Sequence, residues 1–244
     1  MGKFVMTDVR LFTGGADLTS ASNKVEVKAE VEEKDATNYA SGGYKELLGG
    51  LASAEIAGEG QWEAGDPGLV DNATWEQLGG VGPWTIGPRG PGVDSLAYFT
   101  NALRADYKVG DAVGEIAPWA SSGKSSWPLV RGVFVHPPGI ARTASGTGTS
   151  VNLGAVPAGK RLYAALHVLS AAGTTPSLTA RIQSDDAPGF GSPTTRLTFN
   201  AASAGGGQIL RTDSSAITDT WWQIAWTITG TTPSFLFAAA VGIY

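Results

Sequence analysis

The sequence contains no cysteine, which removes disulfide staples, thiolate nucleophiles and cysteine-based zinc or iron–sulfur centres together. Histidine is nearly missing too. His136 and His167 are the only two, which leaves zinc sites and catalytic triads short of imidazoles. No stretch approaches the roughly 18 apolar residues of a membrane span, and the opening Met1-Gly2-Lys3-Phe4-Val5 lacks the apolar core of a signal peptide. The expectation is a chain made and folded in a cytoplasm, with no metal and no cofactor. Charged residues make up only 16%, and no basic stripe runs through them, which argues against tight nucleic-acid binding by counterion release.

What is abundant is glycine, 34 residues, with 13 prolines. That composition predicts many turns and short strands, so the fold class is all-β. A length of 244 residues suits two ordinary domains or one large one. Charge separates two halves: residues 1–140 hold 11 basic and 18 acidic side chains, residues 141–244 hold 6 and 4. Between them Thr143-Ala144-Ser145-Gly146-Thr147-Gly148-Thr149-Ser150 has no core-forming residue. The predicted units are 1–143, a β-barrel or sandwich with one short helix, and 149–244, an antiparallel β-sandwich.

In Lys24-Val25-Glu26-Val27-Lys28-Ala29-Glu30-Val31-Glu32 the apolar residues and the charges alternate, a strand with one wet face. Residues 54–63 repeat the pattern, with Glu55, Glu59 and Glu63 on one face and Ile56, Gly58 and Trp62 on the other. Glu26, Glu30, Glu32, Glu55, Glu59 and Glu63 are therefore candidates for one shared acidic face, partly neutralised by Lys24 and Lys28. The stretch 33–50 between the strands is far longer than an ordinary hairpin turn. Its Asp35, Asn38, Tyr39, Tyr44, Lys45, Leu47 and Leu48 are candidate contact residues. A short helix is expected over 69–78, capped by Asp71 or Asn72, and further strands over 96–107, 111–116 and 129–136. Seven short strands are expected after residue 150, with Trp222, Ile224, Trp226 and Ile228 facing a core.

Chemical motifs fail on context. Ser122-Gly123-Lys124-Ser125 ends like a phosphate loop, but Pro118 stands where its first glycine belongs and Trp127-Pro128 follows where a helix should start. It reads as a flexible surface loop. Asp185-Asp186 precedes Ala187-Pro188-Gly189 and reads as the start of a turn, not as an acid–base pair. His167 reads as a satisfied or half-exposed strand residue and His136 as a strand end, so no enzyme is expected. A rival reading is a virion or cell-surface decoration, or a carbohydrate-binding sandwich using Trp221 or Tyr163.

Gly15-Ala16-Asp17-Leu18-Thr19, the alternating strand, Asp35-Ala36-Thr37-Asn38-Tyr39-Ala40, and Lys45-Glu46-Leu47-Leu48-Gly49-Gly50-Leu51 follow one another in an order that resembles the opening of siphophage major tail tube proteins. The short helix, Gly82-Pro83-Trp84-Thr85-Ile86 and the Lys108-Val109-Gly110-Asp111 turn continue the likeness to about residue 140. Ala36 departs from it, standing where a larger aliphatic residue is usual. The resemblance implies rings of six copies, or less readily three, stacked into a tube in the virion and assembled in the host cytoplasm. It also implies tape-measure and tail-end proteins as partners, passing double-stranded DNA in the lumen, and no membrane partner. The six glutamates would then face the bore, and the 33–50 loop would dock the next ring.

Overall fold

The computed structural model describes residues 5–65, 70–110, 112–125 and 127–244. The strands are β1 (Arg10–Thr13), β2 (Ala16–Asp17), β3 (Ser22–Asp35), β4 (Leu47–Gln61), β5 (Val81–Gly87), β6 (Leu96–Arg104), β7 (Lys108–Val109), β8 (Pro118–Ser125) and β9 (Val130–His136) in the first half. The second half contains β10 (Gly146–Thr147), β11 (Val151–Asn152), β12 (Leu162–Asp185), β13 (Thr194–Thr198), β14 (Gly206–Arg211) and β15 (Trp221–Ile243). One helix, α1 (Val70–Glu76), interrupts them. The protein is all-β, as its glycine and proline content implies.

Two segments differ from the sequence reading. Residues 112–116 are an exposed turn, with Glu115 N–H donating to Ala112 O, and not a strand. Asp111, expected to open that strand, and Leu69, expected to open the helix, lie outside the described residues. The stretch read as a loop around Lys124 is β8, hydrogen-bonded to β4 on one side and to β6 and β7 on the other. Its inward residues are Trp119, Ser121, Gly123 and Ser125. Three of these are small or polar, so the strand lacks the hydrophobic alternation that announces one. Gly123 is required there, because a Cβ would sit 2.5 Å from the Trp84 ring.

In the second half, four of the seven expected short strands fuse into two long ones, and the other three stay short as β11, β13 and β14. β12 and β15 pair antiparallel from Leu162↔Ile243 to Asp185↔Trp221. The ribbon bends where Gly173-Thr174-Thr175-Pro176-Ser177 meets Gly230-Thr231-Thr232-Pro233-Ser234, the same five residues twice, with Thr174 opposite Thr231. Gly173 and Gly230 have φ of 114° and 121°, and Thr175 and Thr232 both 48°. Each glycine leaves no room for a Cβ: the nearest backbone atoms of the other segment would lie 2.7 and 2.9 Å away. The prolines are tolerated because the bend already interrupts the ladder with register shifts.

Bending brings both ends of the ribbon onto one core, in which Leu162, Leu166, Leu178 and Ile182 meet Trp222, Ile224, Phe235 and Phe237. The expected inward set Trp222, Ile224, Trp226 and Ile228 is buried. A second core in the first half gathers Leu11, Leu18, Ile56, Trp84, Ile86 and Trp119. A third draws on both halves: Phe12, Phe99, Val130 and Phe134 pack with Tyr163, Ala165, Ala238 and Ala240. Strand β9 also pairs with β15. The lower part of β12 is therefore buried on both faces, and its sequence is accordingly apolar without alternation.

Candidate assembly surface

Strand β3 pairs with β4, and β4 with β8, in a register that places Lys24 opposite Glu59, Glu26 opposite Ala57, Lys28 opposite Glu55 and Glu30 opposite Ser53. On β8, Lys124 stands opposite Glu55 and Ser122 opposite Ala57. Directly paired residues point to the same side of a sheet. Glu26, Glu30, Glu55 and Glu59 thus share one face with Lys24, Lys28, Lys108 and Lys124. On the other side of β4, Ala54, Ile56, Gly58 and Gly60 are buried.

This face is interleaved rather than acidic. Lys24 Nζ lies 3.0 Å from Glu59 Oε1, and Lys28 Nζ 2.8 Å from Glu30 Oε1. The hydrogen bond to Glu59 raises the Lys24 pKa, and the one to Glu30 raises that of Lys28. Glu32 lies beside a register shift in the hairpin and pairs with Lys34. Glu63 stands outside the ladder, because β4 ends at Gln61 where Trp62 N–H turns to donate to Ala117 O.

Beyond residue 27 the β3–β4 hairpin leaves the body of the protein. From Lys28 to Ser53 every residue is exposed except Ala36 and Ser41, which are half-buried. The turn is shorter than expected, residues 36–46, because the strands continue through Asp35 and Leu47. It is ordered by its own polar groups. The Asp35 pKa is lowered by hydrogen bonds from the Thr37 side chain and from Thr37 N–H, and Asn38 Oδ1 accepts from Ala40 N–H. Tyr39, Tyr44, Lys45, Leu47 and Leu48 all point to solvent, with Tyr39 as open as a free side chain and Leu48 63% exposed. The outer edge of β3 has no partner strand among the described residues. An isolated two-stranded ribbon is marginally stable at best in water, so an arm open on both faces and along an edge has the form of a segment completed by another chain.

Three buried polar residues stand out, of which sequence reasoning missed Arg104; His167 is the satisfied strand residue of its two expected readings and His136 the expected strand end. Arg104, 1% exposed, donates to Ser121 Oγ, to Thr13 Oγ1 at 3.2 Å and to Gln77 Oε1 at 3.4 Å, and lies 4.6 Å from the Trp84 ring centre. All three acceptors are neutral. Burial pushes its pKa down to about 10. His167 joins the halves, with Nδ1 2.8 Å from Gly14 O and Nε2 2.7 Å from Thr85 Oγ1. His136 places Nδ1 3.0 Å from Phe237 O, stacks on that ring, and accepts from Arg142 Nε at 3.1 Å. Both imidazoles are neutral, pushed down to about 4 by burial. A histidine in an apolar strand was a legible signal of burial; Arg104 sits at a strand end and carried none.

Asp185 ends β12 and accepts from Ala187 and Ser192 N–H, which lowers its pKa and makes the turn that its sequence context implies. Tyr163, one of the two aromatics assigned to a sugar surface, is buried in the seam against Trp127. Its neighbours along β12 are apolar on both faces, and that leaves no outer side for it. Trp221 is half-exposed.

No protein-family model matches the chain, and no curated protein matches it. Among solved structures, it is similar to a chain of the virion of native gene transfer agent (GTA) particle, at 18% identity and TM-score 0.43, over 52% of this chain and 97% of that one. It is similar to a chain of the tail of the empty GTA particle, refined with C6 symmetry, at 20% identity and TM-score 0.38, over 50% and 91%. It is also similar to the SPP1 Dit protein, of a hub adsorption apparatus in Gram-positive infecting phages, at 10% identity and TM-score 0.35, over 97% and 99%.

Proposed function

We propose that the chain is a structural subunit of a bacteriophage tail that assembles with copies of itself into rings, six copies being the leading number, stacked as a tube that conducts double-stranded DNA. The observation that carries this reading is the β3–β4 arm, exposed on both faces and along the β3 edge. Pairing edges around a ring closes such an arm into a barrel and removes the free edge. The motif order along the first half supports the same reading. In it, the face of Glu26, Glu30, Glu55 and Glu59 lines the bore, with Glu32 and Glu63 at its two ends. The 36–46 turn meets the adjoining ring. Residues 1–143 form the tube unit and 149–244 an outer unit. Tape-measure and tail-end proteins are the remaining partners, and the role is not enzymatic.

The test is negative-stain imaging of the purified chain across concentration. Tubes or stacked rings with a central hole are expected. Rings that never stack would assign it to one end of a tail, and a monomer at every concentration would overturn the proposal.

A further inference from the structure

Among the described residues Arg104 has no counter-ion: no carboxylate lies within ion-pairing distance, and its buried Nε has no hydrogen-bond partner. Asp106, whose charge acts on it, is held by Ser122 N–H and Oγ. A guanidinium out of water is strongly disfavoured without a partner, and an arriving carboxylate gives a charge-assisted pair of high worth. Arg104 lines a cavity of about 230 Å³ whose wall includes four glycines, Gly14, Gly80, Gly82 and Gly207. Glu76 stands exposed at the mouth without pairing with it.

The surface around this cavity is apolar and open. Val81, 64% exposed, lines the cavity, and Trp75 and Leu78, 62% and 41% exposed, flank its lining residues Glu76 and Gln77 along the chain. The matching pattern occurs on the arm. Glu46 is exposed, its carboxylate has no partner among the described residues, and Tyr44, Leu47 and Leu48 flank it. One surface is a buried cation with exposed apolar side chains beside its cavity, the other an anion flanked by them. Since both stay exposed in the single chain, neither covers the other within it.

We propose that the Arg104 cavity receives Glu46 from the arm of a second copy of this chain, with Tyr44, Leu47 and Leu48 packing on Trp75, Leu78 and Val81. The inference rests on the assembly reading above and names the receptor of the arm. A competing occupant is the 112–116 turn, where Glu115 stands beside the exposed Val113 and Ile116. The arm is preferred because it projects from the body on both faces, whereas that turn lies next to its own β8.

The experiment measures the concentration at which the full chain assembles, by light scattering with images as control. Glu46→Gln and Arg104→Gln are each expected to raise it about tenfold or more, the worth of a hydrogen-bonded charge. The double variant should be no worse than either single one, because the two remove one pair. Glu46→Gln alters an exposed side chain and Arg104→Lys keeps the charge, so the test stays readable if Arg104→Gln does not fold. Assembly of Glu46→Gln at the native concentration, additive losses in the double variant, or loss on Glu115→Gln instead would overturn the pairing while leaving self-assembly standing. Failure of the native chain to assemble would overturn both.

Discussion

Acid should loosen this protein at the joint between its halves, because its only two histidines are both buried there as neutral rings. His167 has one nitrogen at Gly14 O and the other at Thr85 Oγ1; His136 has one at Phe237 O and accepts from Arg142 with the other. A second proton on His136 would face a guanidinium, and one on His167 would be sealed from water. The unfolded chain binds a proton at the ordinary value of 6.5, the folded one only at about 4. Between those values the unfolded state holds more protons, so stability falls as pH drops from 6.5 towards 4 and is flat above about 7.5. The gap corresponds to roughly 3 kcal/mol per histidine at the lower limit, an upper figure if the joint relaxes. The lowered carboxylates Asp35, Asp185 and Asp219 add their loss only below their ordinary 3.8, outside this window. Urea unfolding of the full chain from pH 7.5 to 4.5 measures the slope. His167→Gln should remove about half of it and His136→Gln much of the rest. A flat profile in the native chain, or the native slope undiminished in both variants, would refute the reasoning.

Deleting residues 36–46 and closing the hairpin with a short turn should leave the unfolding midpoint unchanged, since those side chains are almost all exposed, and should stop tube growth; tubes of normal length in images would remove the docking role. A chain ending at residue 143 uncovers Phe12, Phe99 and Phe134, which pack on Tyr163 and Ala240. It is expected to fold with lower stability and to form a thinner tube, while complete loss of folded material would mean that the halves are one unit. Gly230→Ala places a Cβ within 2.9 Å of backbone at a φ of 121° and should cost about 2 kcal/mol or more by denaturation, against tenths at an open position. The interleaved face predicts no binding of duplex DNA by the native chain, whereas Glu55→Lys with Glu59→Lys should bind it in a salt-dependent way by fluorescence anisotropy. Equal binding by both would show that this face does not govern contact with DNA.

The strands easiest to read were those with one face wet. The alternation at 24–32 gave β3 and its charged face, but burial on one side accounts for it only at Val25 and Val27, because Ala29 and Val31 are exposed on the projecting arm. The lower parts of β12 and β15 escaped that rule by being buried on both sides, so that Tyr163 looked available for a ligand and is not. β8 escaped it by turning serine and glycine inwards beneath Trp84. The five-residue repeat at 173 and 230 was in plain sight, but its meaning depends on the two copies crossing, which is a long-range fact. Arg104 was illegible for a similar reason: its neighbours Thr13, Gln77 and Ser121 come from three separate stretches of the chain.

Charge on the β3–β4–β8 face makes the same point about register. Counting glutamates along each strand suggests a strongly acidic wall. Register changes the count, since four carboxylates, Glu26, Glu30, Glu55 and Glu59, stand with four ammonium groups, Lys24, Lys28, Lys108 and Lys124. Two pairs are already closed at 3.0 and 2.8 Å. Exposed pairs of this kind add little stability, so their use has to be sought in the field they make. Opposite charges a few ångströms apart cancel within a Debye length of about 8 Å, and a polyanion at the centre of a wide bore would then meet neither a strong repulsion nor a row of free cations. In the proposed tube, low friction would come from charges paired across strands rather than from uniform negative charge, and the residues that set the balance are Lys108 and Lys124, the second on the strand whose sequence announced itself least.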